Sequence, residues 1–228
     1  MASRNSFLQT LSAAEQRLLR MEADAKTIKR LAESGSMDEA YAVSLRFAKN
    51  AEQAALLARN LPVNSNRPGA HADVAEIVQS VVPVDVDFTA EGWFCVRMPS
   101  LLPKKEFSSR SYIRAYLYPA LQGFFADKEP VRYEDAVMIF RHVYDRSRPE
   151  REMRDHDNIE VNTVADAIAL FVLKDDGPAC CAHYYCSAEG VADFTQVYVV
   201  PRAAFPHWLR VEALIEDSAG RKYAFTEA

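Results

Sequence analysis

The residue types best suited to chemistry in this sequence are acidic and fall in two short runs. Arg154-Asp155-His156-Asp157-Asn158 precedes an apolar stretch of helical period, and Asp175-Asp176-Gly177-Pro178 follows it. Hard cations such as Mg²⁺ or Mn²⁺ take oxygen ligands and commonly use one or two carboxylates together with substrate phosphates. Two carboxylates two residues apart in extended chain point to opposite sides, but in a loop entering a helix they can converge. Asp155 and Asp157, joined by Asp175 and Asp176, are therefore a candidate metal site. A plainer reading stands beside it. Asp157 or Asn158 suits a helix N-cap, and Asp-Asp-Gly-Pro suits a solvent turn. Composition alone favours caps and turns.

Cations surround the first run. Residues 100–154 hold eleven Lys/Arg against eight Asp/Glu, whereas residues 155–228 hold five against twelve. A basic stretch thus abuts an acidic one within a chain of net charge −5. That overall charge argues against a simple electrostatic DNA binder, but the local pattern suits a protein that grips phosphate and holds cations. Lys104, Lys105, Arg141, Arg146, Arg148, Arg151 and Arg154 are the candidate phosphate contacts. Asp145, Glu150 and Glu152 are interleaved with them, so a solvated loop is an equal reading of the 141–154 run.

Other groups point elsewhere. Cys180, Cys181, His183 and Cys186 lack the paired spacing of zinc knuckles and fall on an expected strand, where buried structural cysteines are the better reading. Tyr184, Tyr185 and Tyr198 could stack on bases, but aromatics are common in strands. No phosphate-cradling Gly-rich loop and no G-x-S-x-G elbow is present. The N-terminus has no apolar signal core, and no stretch reaches the roughly 20 apolar residues of a membrane span. A cytoplasmic protein with reduced thiols and no membrane partner is expected.

The elements that must position these groups are readable from periodicity. Residues 5–33 predict one helix, with Phe7, Leu11, Ala14, Leu18, Met21, Ala25, Ile28 and Ala32 on a stripe. Gly35 suits an αL stop, and Ser36 with Glu39 forms a capping-box pattern. A second helix runs to about Leu61, and the short turn makes the pair antiparallel. Its reading is a structural or oligomerising arm. Strands are expected at Trp93–Met98, Asp135–Tyr144, Ala182–Ser187 and Phe194–Val200, and helices from Ser108 or Ser109 to Ala126 and from Asn158 to Leu173. The expected class is α+β: a helical hairpin over 1–62, a linker over 63–74, and a mixed-sheet βαβαββ domain over 75–228.

The spacing of the acidic runs resembles the signature of the RusA-type Holliday junction resolvases. That signature runs D-x-D-N-apolar, then a helix with an Asp-Ala-Leu-like step, then an Asp pair. Asp155, Asp157, Asn158 and Ile159 match its opening; Asp166-Ala167-Ile168 is similar to its middle step, one residue late; Asp175-Asp176 falls at the usual distance. The resemblance covers roughly residues 92–200 and leaves the hairpin outside. It implies a RusA-like domain and a divalent-metal-dependent endonuclease acting on branched DNA. Asp155, Asp157 and Asp176 would be the catalytic carboxylates, and Mg²⁺ or Mn²⁺ the cofactor that generates hydroxide and stabilises phosphoryl charge. The family's Lys, four residues after the second Asp, is Val161 here. That departure suits the alternative, a non-catalytic nucleic-acid- or protein-binding assembly module that kept the fold and lost the activity. As a whole the chain is similar to a family of bacterial mobile-element proteins with no assigned activity. A helix of about 16 residues is roughly 24 Å long, so Asp157 and Asp176 would share a metal only across a second subunit. A homodimer with two composite sites is therefore expected.

Overall fold

The computed structural model describes residues 2–105, 109–129, 131–147 and 159–212. The chain divides into two units, Met1–Ile77 and Val78–Ala228.

The first unit is built on helices α1 (Ala2–Glu33) and α2 (Met37–Asn64), which pack along their lengths. Gly35, at φ +81°, makes the expected αL stop: its N–H donates to Ala32 O and that of Ser36 to Leu31 O. A residue with a Cβ would be strained there. The expected capping box does not form, because the Ser36 side chain makes no cap bond. Asp38 and Glu39 instead place negative charge in the first turn of α2, where the helix dipole favours it.

The seam between the helices differs from the expected stripe. Residues Phe7, Thr10, Ala14, Arg17, Met21, Asp24, Ile28 and Leu31 of α1 are buried or half-buried, spaced alternately by three and four, whereas Leu18, Ala25 and Ala32 are exposed. The apolar stripe shares its first strip with the seam but leans to one side of it. What turns the helix is a polar network. The Arg46 guanidinium donates to Asp24 (2.6 Å), Asn50 Nδ2 donates to Asp24 (3.3 Å), and Arg17 donates to Asn50 Oδ1 (2.7 Å). Asn64 Nδ2 donates to Thr10 Oγ1 (2.8 Å) at the other end. Buried polar groups in a helical seam stay satisfied in one register only, so these bonds fix how α1 and α2 align.

Helix α3 (Ala70–Val81) was not expected, and it takes up part of the 63–74 linker; only residues 65–69 connect α2 to α3. From Val78 onward the second unit is a five-stranded mixed sheet with helices. Its elements are β1 (Asp85–Phe88), β2 (Phe94–Met98), α4 (Ser109–Phe124), β3 (Ala136–Asp145), α5 (Val161–Val172), β4 (Cys181–Gly190), β5 (Phe194–Pro201) and α6 (Phe205–Glu212), the last entered through a 3-10 turn. Spatial order is β1-β2-β5-β3-β4. Only β3 and β4 are parallel; they are joined through α5, the crossover that parallel neighbours require. Residues 191–193 then carry the chain past the end of β3, so β5 returns antiparallel along the other edge of that strand. Asp193 accepts the Asp145 N–H (2.8 Å) and Gly190 O accepts the Arg146 N–H (2.9 Å), which holds this crossing in place.

Both faces of the sheet are covered. Phe94 and Met98 face α4: Phe94 contacts the rings of Phe124 and Phe125, and Phe125 stacks on Phe171 of α5. The opposite face carries Trp93, Cys95, Val137, Ile139, Tyr198 and Val200, packed on Trp208 of α6. The central strand β3 is buried at nine of its ten positions, which is why AVMIF reads as a continuous apolar run. The α+β class, with helices first and a mixed sheet after, is as the sequence indicates.

Candidate functional site

One end of the sheet gathers the carboxyl ends of β2, β3 and β4. Met98 pairs with Thr195, which pairs with His142, which pairs with Ser187. The loop leaving β2 crosses this end and meets the start of α5. There Lys104 forms an isolated antiparallel bridge with Ile159, and the Glu160 N–H donates to Pro103 O (3.0 Å). Leu102 and Ile159 are buried beneath that contact and anchor it. Lys104 and Lys105 are exposed above it. Arg110, in the first turn of α4, reaches to 3.8 Å from Glu160, and Arg146 stands exposed just after β3. Lys104, Lys105, Arg110 and Arg146 thus share this end of the sheet. Arg110 was missed from the sequence; the signal available was its place at a helix start just after the basic loop.

Asp155, Asp157 and Arg148, Arg151 and Arg154 lie outside the described residues. The residues on either side, Ser147 and Ile159, belong to this same end of the sheet. The helix that follows starts at Val161, with Glu160 at its N-cap position. Thr163 Oγ1 donates to Glu160 Oε2 (3.0 Å). Glu160 makes no side-chain cap bond, and the expectation of a cap at Asp157 or Asn158 falls on residues outside those described. Val161, where the RusA-type signature has a lysine, is only 2% exposed and belongs to the core.

Asp175 and Asp176 sit at the other end of α5. A helix of this length spans roughly 18 Å, and its end is tied to the opposite end of the sheet. The Lys174 N–H donates to Tyr133 O (3.0 Å), Arg132 donates to Leu170 O (2.9 Å) and Leu173 O (3.0 Å), and Ala136 N–H donates to Cys180 O (2.8 Å). Asp175 Oδ1 accepts the Gly177 N–H (3.2 Å), the bond of an Asx turn. Within one chain the structure does not bring this pair to the start of α5. Among the described residues no group of three His, Cys, Asp or Glu is arranged to hold a metal. Asp166 is exposed on the outer side of α5, while Ala167 and Ile168 are buried.

Arg141, expected among the phosphate contacts, is 2% exposed and donates to Gln196 Oε1 (3.2 Å). It lies mid-strand on β3, which is covered on both faces, so it is an interior group and not a surface cation. The tyrosines are likewise structural. Tyr184 packs on Phe205 and Trp208, Tyr198 on Trp208, and Tyr185 stacks on Phe140. All four cysteines are free. His183 lies in register with Met138 and Cys186 with Arg141, three residues apart along β4 and so on opposite faces of the sheet. They cannot share a ligand. Burial raises the Cys186 thiol well above its ordinary range and pushes Cys95 up to about 12, so neither is a poised nucleophile.

No helix among the described residues is long and apolar enough to cross a membrane. No curated protein and no solved structure matches the chain. Residues 3–219, which take in the hairpin and the sheet alike, match the model of DUF6100, a family of unknown function, and the chain belongs to that family.

Proposed function

We propose that the protein is a divalent-metal-dependent endonuclease of the Holliday junction resolvase type, working on branched DNA at the sheet end that carries Lys104, Lys105, Arg110 and Arg146. The supporting observation is the Lys104–Ile159 bridge, which sets the basic loop directly beside the entry to α5. Ile159 closes the D-x-D-N-apolar run, so Asp155 and Asp157 lie within four residues, along the chain, of the residue that Lys104 bridges. A cation beside a carboxylate-bound Mg²⁺ or Mn²⁺ is the arrangement phosphodiester hydrolysis calls for. Lys104 and Lys105 then take the part of the lysine that Val161 replaces. Asp176 joins such a site only from a second copy, which makes the working unit a homodimer. A four-way DNA junction incubated with the protein and Mg²⁺ or Mn²⁺ tests the reading. Symmetric metal-dependent nicks support it; intact junction at every metal concentration refutes it.

The second reading, a binding or assembly module without catalysis, is favoured by Val161. A buried valine where the RusA-type signature has a lysine removes the cation from the first turn of α5. Junction binding without cleavage, unaffected by metal, is the outcome that selects it.

A further inference from the structure

The hairpin presents two unlike sides. On α1, the residues that follow the seam positions Thr10, Arg17, Asp24 and Leu31 are Leu11, Leu18, Ala25 and Ala32. The equivalent positions of α2 are Met37, Ser44, Ala51 and Ala58. In an antiparallel pair these two flanks fall on the same side of the seam. Leu8 and Tyr41 extend that side, and the same outer rows carry Glu15, Glu22 and Lys29 on α1 and Ala48 and Ala55 on α2. Leu8 is 49% exposed, Leu18 58%, Met37 62% and Tyr41 66%. The other side is polar, with Arg20, Thr27, Glu39, Arg46 and Asn60.

Large residues occupy the N-terminal half of each helix, and alanines the C-terminal half. Because the helices are antiparallel, large side chains on one helix lie beside alanines on the other. A two-fold rotation in the plane of this face lays every large group over a small one. The face is thus complementary to itself. Its extent is sufficient: helices of 32 and 28 residues give a footprint about 42 Å long and about 20 Å wide, large enough to hold the roughly 800 Å² per partner that a standard stable interface buries.

We infer that this face pairs with the same face of a second copy, closing a four-helix bundle that makes the protein a dimer. The inference stands without the carboxylates: Asp157→Asn leaves the hairpin untouched, so loss of metal response and loss of pairing are separable failures.

The test is light scattering on the full chain with circular dichroism alongside. Wild type is a dimer at micromolar concentration. Leu18→Arg with Tyr41→Arg alters only exposed positions, so helicity is kept while the apparent mass halves. Arg20→Ala on the polar side leaves the dimer intact. Ala25→Trp, which adds apolar surface, weakens pairing at least tenfold, because a large group now meets a large one. A monomeric wild type overturns the inference, as does a dimer that survives the double arginine variant. A dimer strengthened by Ala25→Trp overturns it too, since that marks general stickiness. If the double variant loses its fold, the Ala25→Trp result decides.

Discussion

Lys104 and Ile159 face one another across an isolated antiparallel bridge, so the loop after β2 and the residue that leads into α5 are bound side by side. Nothing in their sequence separation announces this. It places exposed cations against the entry to α5 while burying Leu102 and Ile159 below, and it separates the roles of the two kinds of cation in the chain.

Lys104→Ala with Lys105→Ala should leave folding stability within about 0.5 kcal/mol of wild type, since both side chains are exposed. The pair should nonetheless weaken junction binding and lower the salt slope of log K by about 2. Fluorescence anisotropy over a salt series measures this. An unchanged slope removes these lysines from the interface.

Arg141→Met should behave in the opposite way. It strips Gln196 Oε1 of its donor inside the sheet, and leaving a buried polar group unsatisfied costs about 1–3 kcal/mol. Urea unfolding should show that loss, and the salt slope of DNA binding should stay as in wild type. A stable variant with a reduced slope would return Arg141 to the phosphate contacts.

Trp208 is fully buried and holds α6 against the sheet through Tyr184 and Tyr198, with Phe205 of the same helix stacked on it. Trp208→Ala should cost about 3–5 kcal/mol. The near-ultraviolet dichroism of the tryptophan cluster should fall with it. A loss below about 1 kcal/mol would mean that α6 is not part of the cooperative core.

Hydrogen bonds from Arg46, and with less weight from Asn50, hold the Asp24 carboxyl below its ordinary range. A depressed carboxylate stabilises the folded state above its unfolded pKa, and that stability is lost as pH falls through the folded value. Hairpin stability should therefore drop on acidification below the ordinary carboxylate range, and Asp24→Asn should flatten that part of the profile. Thermal melts across pH check it; a variant whose acid limb matches wild type contradicts it.

Much of the fold is legible because period and burial agree. β3 reads as a strand since it is buried on both faces, and α5 reads as a helix since its apolar residues fill one broad face. Three elements escaped. β1 is four residues of DVDF, too short and too polar to show a period. α3 starts at Ala70, inside the turn-rich 63–74 run that reads as linker. α6 has Trp208 as its one buried residue, so a single anchor and no stripe marks it. The seam of α1 was misplaced for a related reason. Arg17 and Asp24 are inside because they bond Asn50 and Arg46, and a polar pair satisfied across a fold is invisible to a count of apolar residues.

The candidate site was legible in residue type and only in part in geometry. Asp175-Asp176 had the spacing of a motif, but spacing along a helix is distance in space, and α5 carries the pair to the far end of the sheet. The lysine pair was named for its charge, and only the fold could put it beside α5. Arg141 was named in the same way and is interior because β3 is covered on both faces, so either side of the strand would have enclosed it.

The most direct measurement compares wild type with Asp157→Asn in Mn²⁺, reading thermal shift and four-way junction cleavage together. Asparagine keeps the shape of aspartate and caps a helix equally well, so the substitution removes a charge and the fold should be kept. The account predicts that wild type gains stability with Mn²⁺ by mass action and cuts the junction, and that Asp157→Asn does neither. A wild type indifferent to Mn²⁺, or a variant that cuts as fast as wild type, would contradict it.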